Sequence, residues 1–157
     1  MKLADRMNAT LIHHMLGAMT VGMKGEVFAS LVLSDLECQV VNANAANVNS
    51  KYVDLLVTRN NVTAEVQVKS TAVGSSGSFI GVNDSLVADG GVQWFCVPVI
   101  DNQASALMSI VFVHVEELVR VGKRFPSNNQ RCEVQHSKVA TLATLTPVEW
   151  VSQVFGN

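Results

Sequence analysis

Two β-rich runs, Tyr52–Thr58 and Val62–Lys69, are separated only by Arg59-Asn60-Asn61. So short a connector leaves the two runs little choice but to fold back on each other. Asn tolerates positive φ, which a two-residue type I′ reversal requires at both positions. An Asn60-Asn61 turn places Arg59 opposite Val62. The pairing then runs Val57 to Ala64, Leu55 to Val66 and Val53 to Val68, and one face of the ribbon becomes continuously apolar. A slip of one residue would set these side chains against polar ones, so burial selects this register.

On the other face Asp54 falls opposite Gln67, where directly paired residues bring their Cβ atoms to about 4.5–5.5 Å. Lys69 lies two residues along on the same face and Glu65 two residues the other way. An acid, an amide and an amine thus converge on one patch. A carboxylate and an amide carbonyl are hard ligands suited to Mg²⁺ or Mn²⁺. A lysine beside them can orient a water or stabilise negative charge developing on a phosphate.

Asp54, the short hairpin and Val66-Gln67-Val68-Lys69-Ser70-Thr71 together resemble the core of the PD-(D/E)XK nuclease superfamily, the restriction-endonuclease-like fold. The fifteen-residue separation of Asp54 and Lys69 lies within that family's usual range. Gly25-Glu26, opening a helix ahead of the strands, resembles the family's acidic helix. Val92–Ile100, Ser109–His114 and the helix around Glu116-Glu117-Leu118 resemble its remaining sheet and following helix, so the resemblance covers roughly residues 22–121. It implies Asp54 as central metal ligand, Gln67 in the place usually held by Asp or Glu, Lys69 as catalytic lysine and Glu26 as accessory acid. Mg²⁺ or Mn²⁺ is the implied cofactor, DNA the implied substrate and a homodimer the implied assembly. Ser70 and Thr71 are candidate phosphate donors. Two departures stand out: Val53 replaces the family's Pro, and neutral Gln67 removes one negative charge and should weaken metal binding. Glu65 could supply that charge.

The remaining chain reads as an α/β (α+β) domain over residues 1–157, a single mixed central sheet flanked by helices. Helices are expected at Ala4–Leu16, at about Lys24–Ser34, at Val115–Val121 and after Thr146, where Thr146, Pro147 and Glu149 spell a capping signal. Further strands are expected at Glu37–Asn42, Val92–Ile100, Ser109–His114 and Arg131–His136. Asn42–Lys51, Gly74–Gly77 and Gly122–Gln130 read as loops. Residues 122–157 form a C-terminal loop, strand and helix. The apolar, Met-rich residues 1–21 read as a helix that could mediate oligomerisation.

No apolar run reaches the roughly 20 residues a spanning helix needs, and Asp5, Arg6, His13 and His14 interrupt the N-terminal stretch. A soluble, cytoplasmic protein with no membrane partner is expected. Cys38, Cys96 and Cys132 are odd in number and far apart, which argues against zinc and disulfides. A net charge of −2 leaves no strongly basic coat, which counts against a nucleic-acid partner. With neutral Gln67, it favours the alternative of a non-catalytic nucleic-acid-binding or assembly module. His114 and His136 read as structural, Trp94 and Trp150 as core. Arg120, Lys123, Arg124 and Arg131 read as solvated surface or a phosphate-contacting rim.

Overall fold

The computed structural model describes residues 14–43, 53–74, 79–83, 92–125 and 131–156. Most of the Ala4–Leu16 helix, most of Asn42–Lys51 and part of Gly74–Gly77 lie outside them; residues 14–17 are helical. The elements are α1 (Val21–Asp35), β1 (Gln39–Asn42), β2 (Leu55–Arg59), β3 (Val62–Val68), β4 (Thr71–Ala72), β5 (Phe79–Asn83), β6 (Trp94–Asp101) and β7 (Ala106–His114). There follow α2 (Val115–Val121), β8 (Lys123–Phe125), β9 (Arg131–Gln135), a 3₁₀ turn (His136–Thr141), β10 (Thr144–Leu145) and α3 (Pro147–Phe155).

The protein is a mixed α/β fold around a seven-stranded mixed sheet, ordered β1-β2-β3-β6-β7-β10, with β4 also on β6. The β2–β3 hairpin has the expected register from Arg59↔Val62 to Leu55↔Val66. Asn60 (φ 51°) and Asn61 (φ 63°) supply the two positive-φ positions of the turn. Thr58 and Thr63 link their hydroxyls across the strands at 2.8 Å.

Apolar side chains cover both faces of this sheet. On one, Ala29 and Leu33 of α1 and Trp150, Val151 and Phe155 of α3 pack on Leu55, Val57, Val66, Cys96 and Phe112. On the other, Val115 and Leu118 of α2 cover Phe95, Val97 and Val113 together with Val82, Cys132 and Val134. All three cysteines are buried and free.

The C-terminal helix starts as its sequence requires. Thr146 Oγ1 accepts from Glu149 N at 3.3 Å, and Glu149 Oε2 accepts from Thr146 N at 2.8 Å. Trp150, fully buried, stacks on Phe112 at 4.2 Å and 11°, with Phe155 edge-on at 5.5 Å.

The single-sheet expectation is incomplete. A second antiparallel sheet, β5-β9-β8, is not hydrogen-bonded to the first and shares a core with it. Lys123–Phe125, expected as loop, forms β8 and pairs with β9, and Phe79–Asn83 forms β5. Short strands between Gly-rich segments carry too few residues for alternation to show; their order comes from long-range partners. Among the described residues, no helix is long and apolar enough to cross a membrane.

Candidate active site

The ladder between β2 and β3 changes character at Asp54. A two-residue turn makes Arg59↔Val62, Val57↔Ala64 and Leu55↔Val66 the hydrogen-bonded pairs. Continued unchanged, that pattern would turn the Asp54 N–H away from β3. Instead it donates to the Val66 carbonyl at 3.0 Å, while the Asp54 carbonyl accepts from Ala43 N at 2.9 Å. Asp54 and Leu55 together thus oppose Val66, which defines a β-bulge.

The bulge corrects two expectations. Val53 packs with Phe95 and Val97, on the face opposite Leu55, so the apolar stripe does not run unbroken to Val53. Asp54 is also not the ladder partner of Gln67. Its carboxylate takes the place of the displaced carbonyl, with Oδ2 accepting from Val68 N at 2.7 Å.

The Asp54 carboxyl is held above the ordinary carboxylate range by burial, offset in part by the Val68 N–H and the Lys69 charge. Glu26, on the second turn of α1, is also raised, first by burial, against the pull of its Asn42 hydrogen bond, and further by the Asp54 charge. Asn42 Nδ2 donates to Glu26 Oε2 at 2.9 Å. The structure thus brings Asp54 within electrostatic reach of both Glu26 and Lys69. Asn42 is a site residue that the sequence reading missed. The β1–β2 register, which the sequence pattern does not encode, sets it opposite Leu55, beside Asp54.

Helix α1 reaches this corner through Gly25. A Cβ there would overlap Ser70 Oγ and lie 2.8 Å from Ser70 Cβ and 3.3 Å from Pro98 Cγ. Lys24, 2% exposed, pins the same end of the helix by donating from Nζ to Asn102 Oδ1 at 2.8 Å. Gly25→Ala is therefore expected to cost about 1–3 kcal/mol, as overpacking does. Urea denaturation measures it; an unchanged midpoint would mean that Ser70 swings aside freely.

Gln67 pairs with Phe95 across the parallel β3–β6 ladder and is 7% exposed, with Oε1 buried and unpartnered. Glu65, opposite Leu56, is exposed. Ser70 Oγ is buried without a partner, and Thr71 is 6% exposed with its hydroxyl on the Ala72 carbonyl, so neither hydroxyl presents an exposed donor to a phosphate. Arg120 is bound bidentately by Glu117, at 3.0 and 2.6 Å, and is not a free phosphate contact.

Among the described residues, no three His, Cys, Asp or Glu side chains form a metal-binding group. The available donors are two carboxylates, Asp54 and Glu26, and one amide oxygen, Gln67. Asp54, whose charge raises the proton affinity of Glu26, Glu26 itself and the orphaned buried carbonyl oxygen of Gln67 are the donor types that a hard, oxygen-seeking cation takes. No protein-family model matches the chain, and no curated protein matches it.

Proposed function

We propose that the chain is a metal-dependent, nuclease-like protein of restriction-endonuclease-like fold that hydrolyses DNA phosphodiester bonds in the cytoplasm. The observation that carries this reading is the seat of Asp54: a bulge turns its carboxylate onto the Val68 N–H, one residue from Lys69 and within reach of Glu26. A structural acid has no need of a strand defect, a second acid and a lysine around it, and bulges are over-represented beside active sites.

In this reading Asp54, Glu26 and Gln67 hold Mg²⁺ or Mn²⁺. When bound, the cation supplies positive charge toward the phosphorane and the departing 3′ oxygen. Lys69 orients the attacking water and stabilises developing phosphate charge. Asn42 holds the Glu26 carboxylate in one orientation. Cutting both strands of a duplex needs two centres, so the working form is a homodimer.

The second reading, a non-catalytic nucleic-acid-binding or assembly module, is favoured by Gln67, which is neutral and almost fully buried where the resemblance places an acid.

Supercoiled plasmid separates the two. The wild-type protein is expected to nick it with Mg²⁺ or Mn²⁺ and to stop when the metal is chelated. Lys69→Ala should lower the rate by about 10²-fold with an unchanged circular dichroism spectrum. Wild type and variant behaving alike would remove the enzyme and leave the module, for which calorimetric titration with Mn²⁺ should give no binding heat.

A further inference from the structure

A cleft outside the Asp54 corner is lined from β6, β7, α2, β10 and α3. Trp94 at the start of β6 and His114 at the end of β7 are ladder partners, so their side chains share one face of the sheet. The two rings meet at 4.9 Å and 80°. On the same face Trp94 and Leu145 pack against the core around Trp150. Trp150 meets Trp94 at 6.3 Å and 78°, so among the described residues no ring is stacked on the Trp94 indole. Trp94, His114 and Leu145 contribute to a cavity of about 460 Å³, within the roughly 300–1,000 Å³ of small-molecule sites. None of its lining residues belongs to the Asp54 corner.

Three charged side chains line this cavity, Glu116, Glu117 and Arg120, and two of them cancel. Arg120 Nε and Nη2 donate to the Glu117 carboxylate at 3.0 and 2.6 Å, and Ala143 N donates to its Oε1 at 3.1 Å. Those bonds, the Arg120 pair foremost, hold the Glu117 carboxyl down at about 2, so it is ionised at neutral pH and matched by Arg120. Glu116 is left over. Its carboxylate, 83% exposed, lies 3.8 Å from His114 Nδ1. That nitrogen accepts from Glu116 N at 3.4 Å and so has no proton to offer the carboxylate.

Among the described residues the cavity therefore carries one uncompensated negative charge beside an apolar, aromatic wall. An indole attracts a cation to its face, and an anion such as phosphate would meet Glu116 unfavourably. A bare ammonium has no apolar body for the wall, whereas an alkylated one has both parts.

We propose that this cleft is a binding site for a small organic cation, an alkylated ammonium whose alkyl groups lie on Trp94 and Leu145 and whose charge is balanced by Glu116. The inference does not rest on the nuclease reading.

Three probes of closely similar shape and different charge test it: choline, its uncharged carbon isostere 3,3-dimethylbutan-1-ol, and the anion 3,3-dimethylbutanoate. The readout is the indole N–H region of ¹H–¹⁵N correlation spectra. The chain has two tryptophans, so Trp94→Phe assigns both cross-peaks, and that of buried Trp150 reports an intact core. Choline is expected to move the Trp94 cross-peak saturably and to bind about fivefold or more tightly than the alcohol, the scale of one cation–π contact. The anion should bind most weakly. Glu116→Gln, at an exposed position, should weaken choline binding by about two- to fivefold and leave the alcohol unchanged, as loss of an exposed charge partner does.

A Trp94 cross-peak that choline leaves unmoved would overturn the proposal. So would an alcohol that binds as tightly as choline, or a choline affinity unchanged in Glu116→Gln. An anion that binds more tightly than choline would overturn it too, by showing that Arg120 and not Glu116 sets the sign of the site.

Discussion

Asp54→Asn is expected to lower metal-dependent plasmid nicking by on the order of 10²–10³-fold and, in the same protein, to raise the melting temperature at pH 7. Burial dominates the environment of Asp54 and lifts its carboxyl above the ordinary value of 3.8, even with Val68 N–H and Lys69 pulling the other way. A carboxyl with a raised folded-state pKa binds its proton more tightly in the native chain than in the unfolded one. Its contribution to stability therefore falls as pH rises from 3.8 through the folded value, and at neutral pH the penalty is complete. Asparagine carries no charge to bury, and its amide oxygen can still accept from Val68 N. Melting curves at pH 4 and pH 7 should show the gap between variant and wild type opening as pH rises. A variant less stable than wild type at pH 7 would make Asp54 a structural staple and withdraw it from the site.

The largest effect on stability is expected on the sheet face that α3 covers. Trp150→Ala should cost about 3–5 kcal/mol, the range for truncating a fully buried aromatic. Trp150 meets Phe112 face to face, with Phe155 and Trp94 edge-on at 5.5 and 6.3 Å. Against the roughly 5–15 kcal/mol by which domains of this kind are stable, that loss brings the chain close to unfolding. At about 2–4 °C per kcal/mol the midpoint should fall by about 10 °C. Trp150→Phe should cost much less, because the indole Nε1 has no partner to lose. Urea denaturation measures both, and a cost below about 1.5 kcal/mol for alanine would show that α3 collapses onto Phe112 without it.

What the sequence discloses here is local. The Asn-Asn reversal, its register and the capping of α3 each depend on residues within a few positions of one another, so a pattern rule reaches them. Asp54 and Lys69 stand near each other for the same reason: both belong to one hairpin. The bulge is illegible in the pattern, since alternation assumes an unbroken pleat and Val53 looks no different on either face. The second sheet depends on pairing β5 with β9, about fifty residues apart, which no periodicity encodes. Asn42 reaches the site from a neighbouring strand, as a polar residue in unremarkable surroundings. Pro98 is the exception, because a proline within an apolar run announces a missing donor once the parallel register is known.

That parallel register also divides the assembly of the site in time. A hairpin with a two-residue turn closes within microseconds, so Asp54 can find Val68 as soon as residues 53–68 exist. The partnership of β3 with β6, in which Lys69 N donates to the Cys96 carbonyl, must first close a loop through residues 94–96. A chain emerging from the ribosome therefore carries the acid in its seat before the Lys69 main chain finds its anchor on β6.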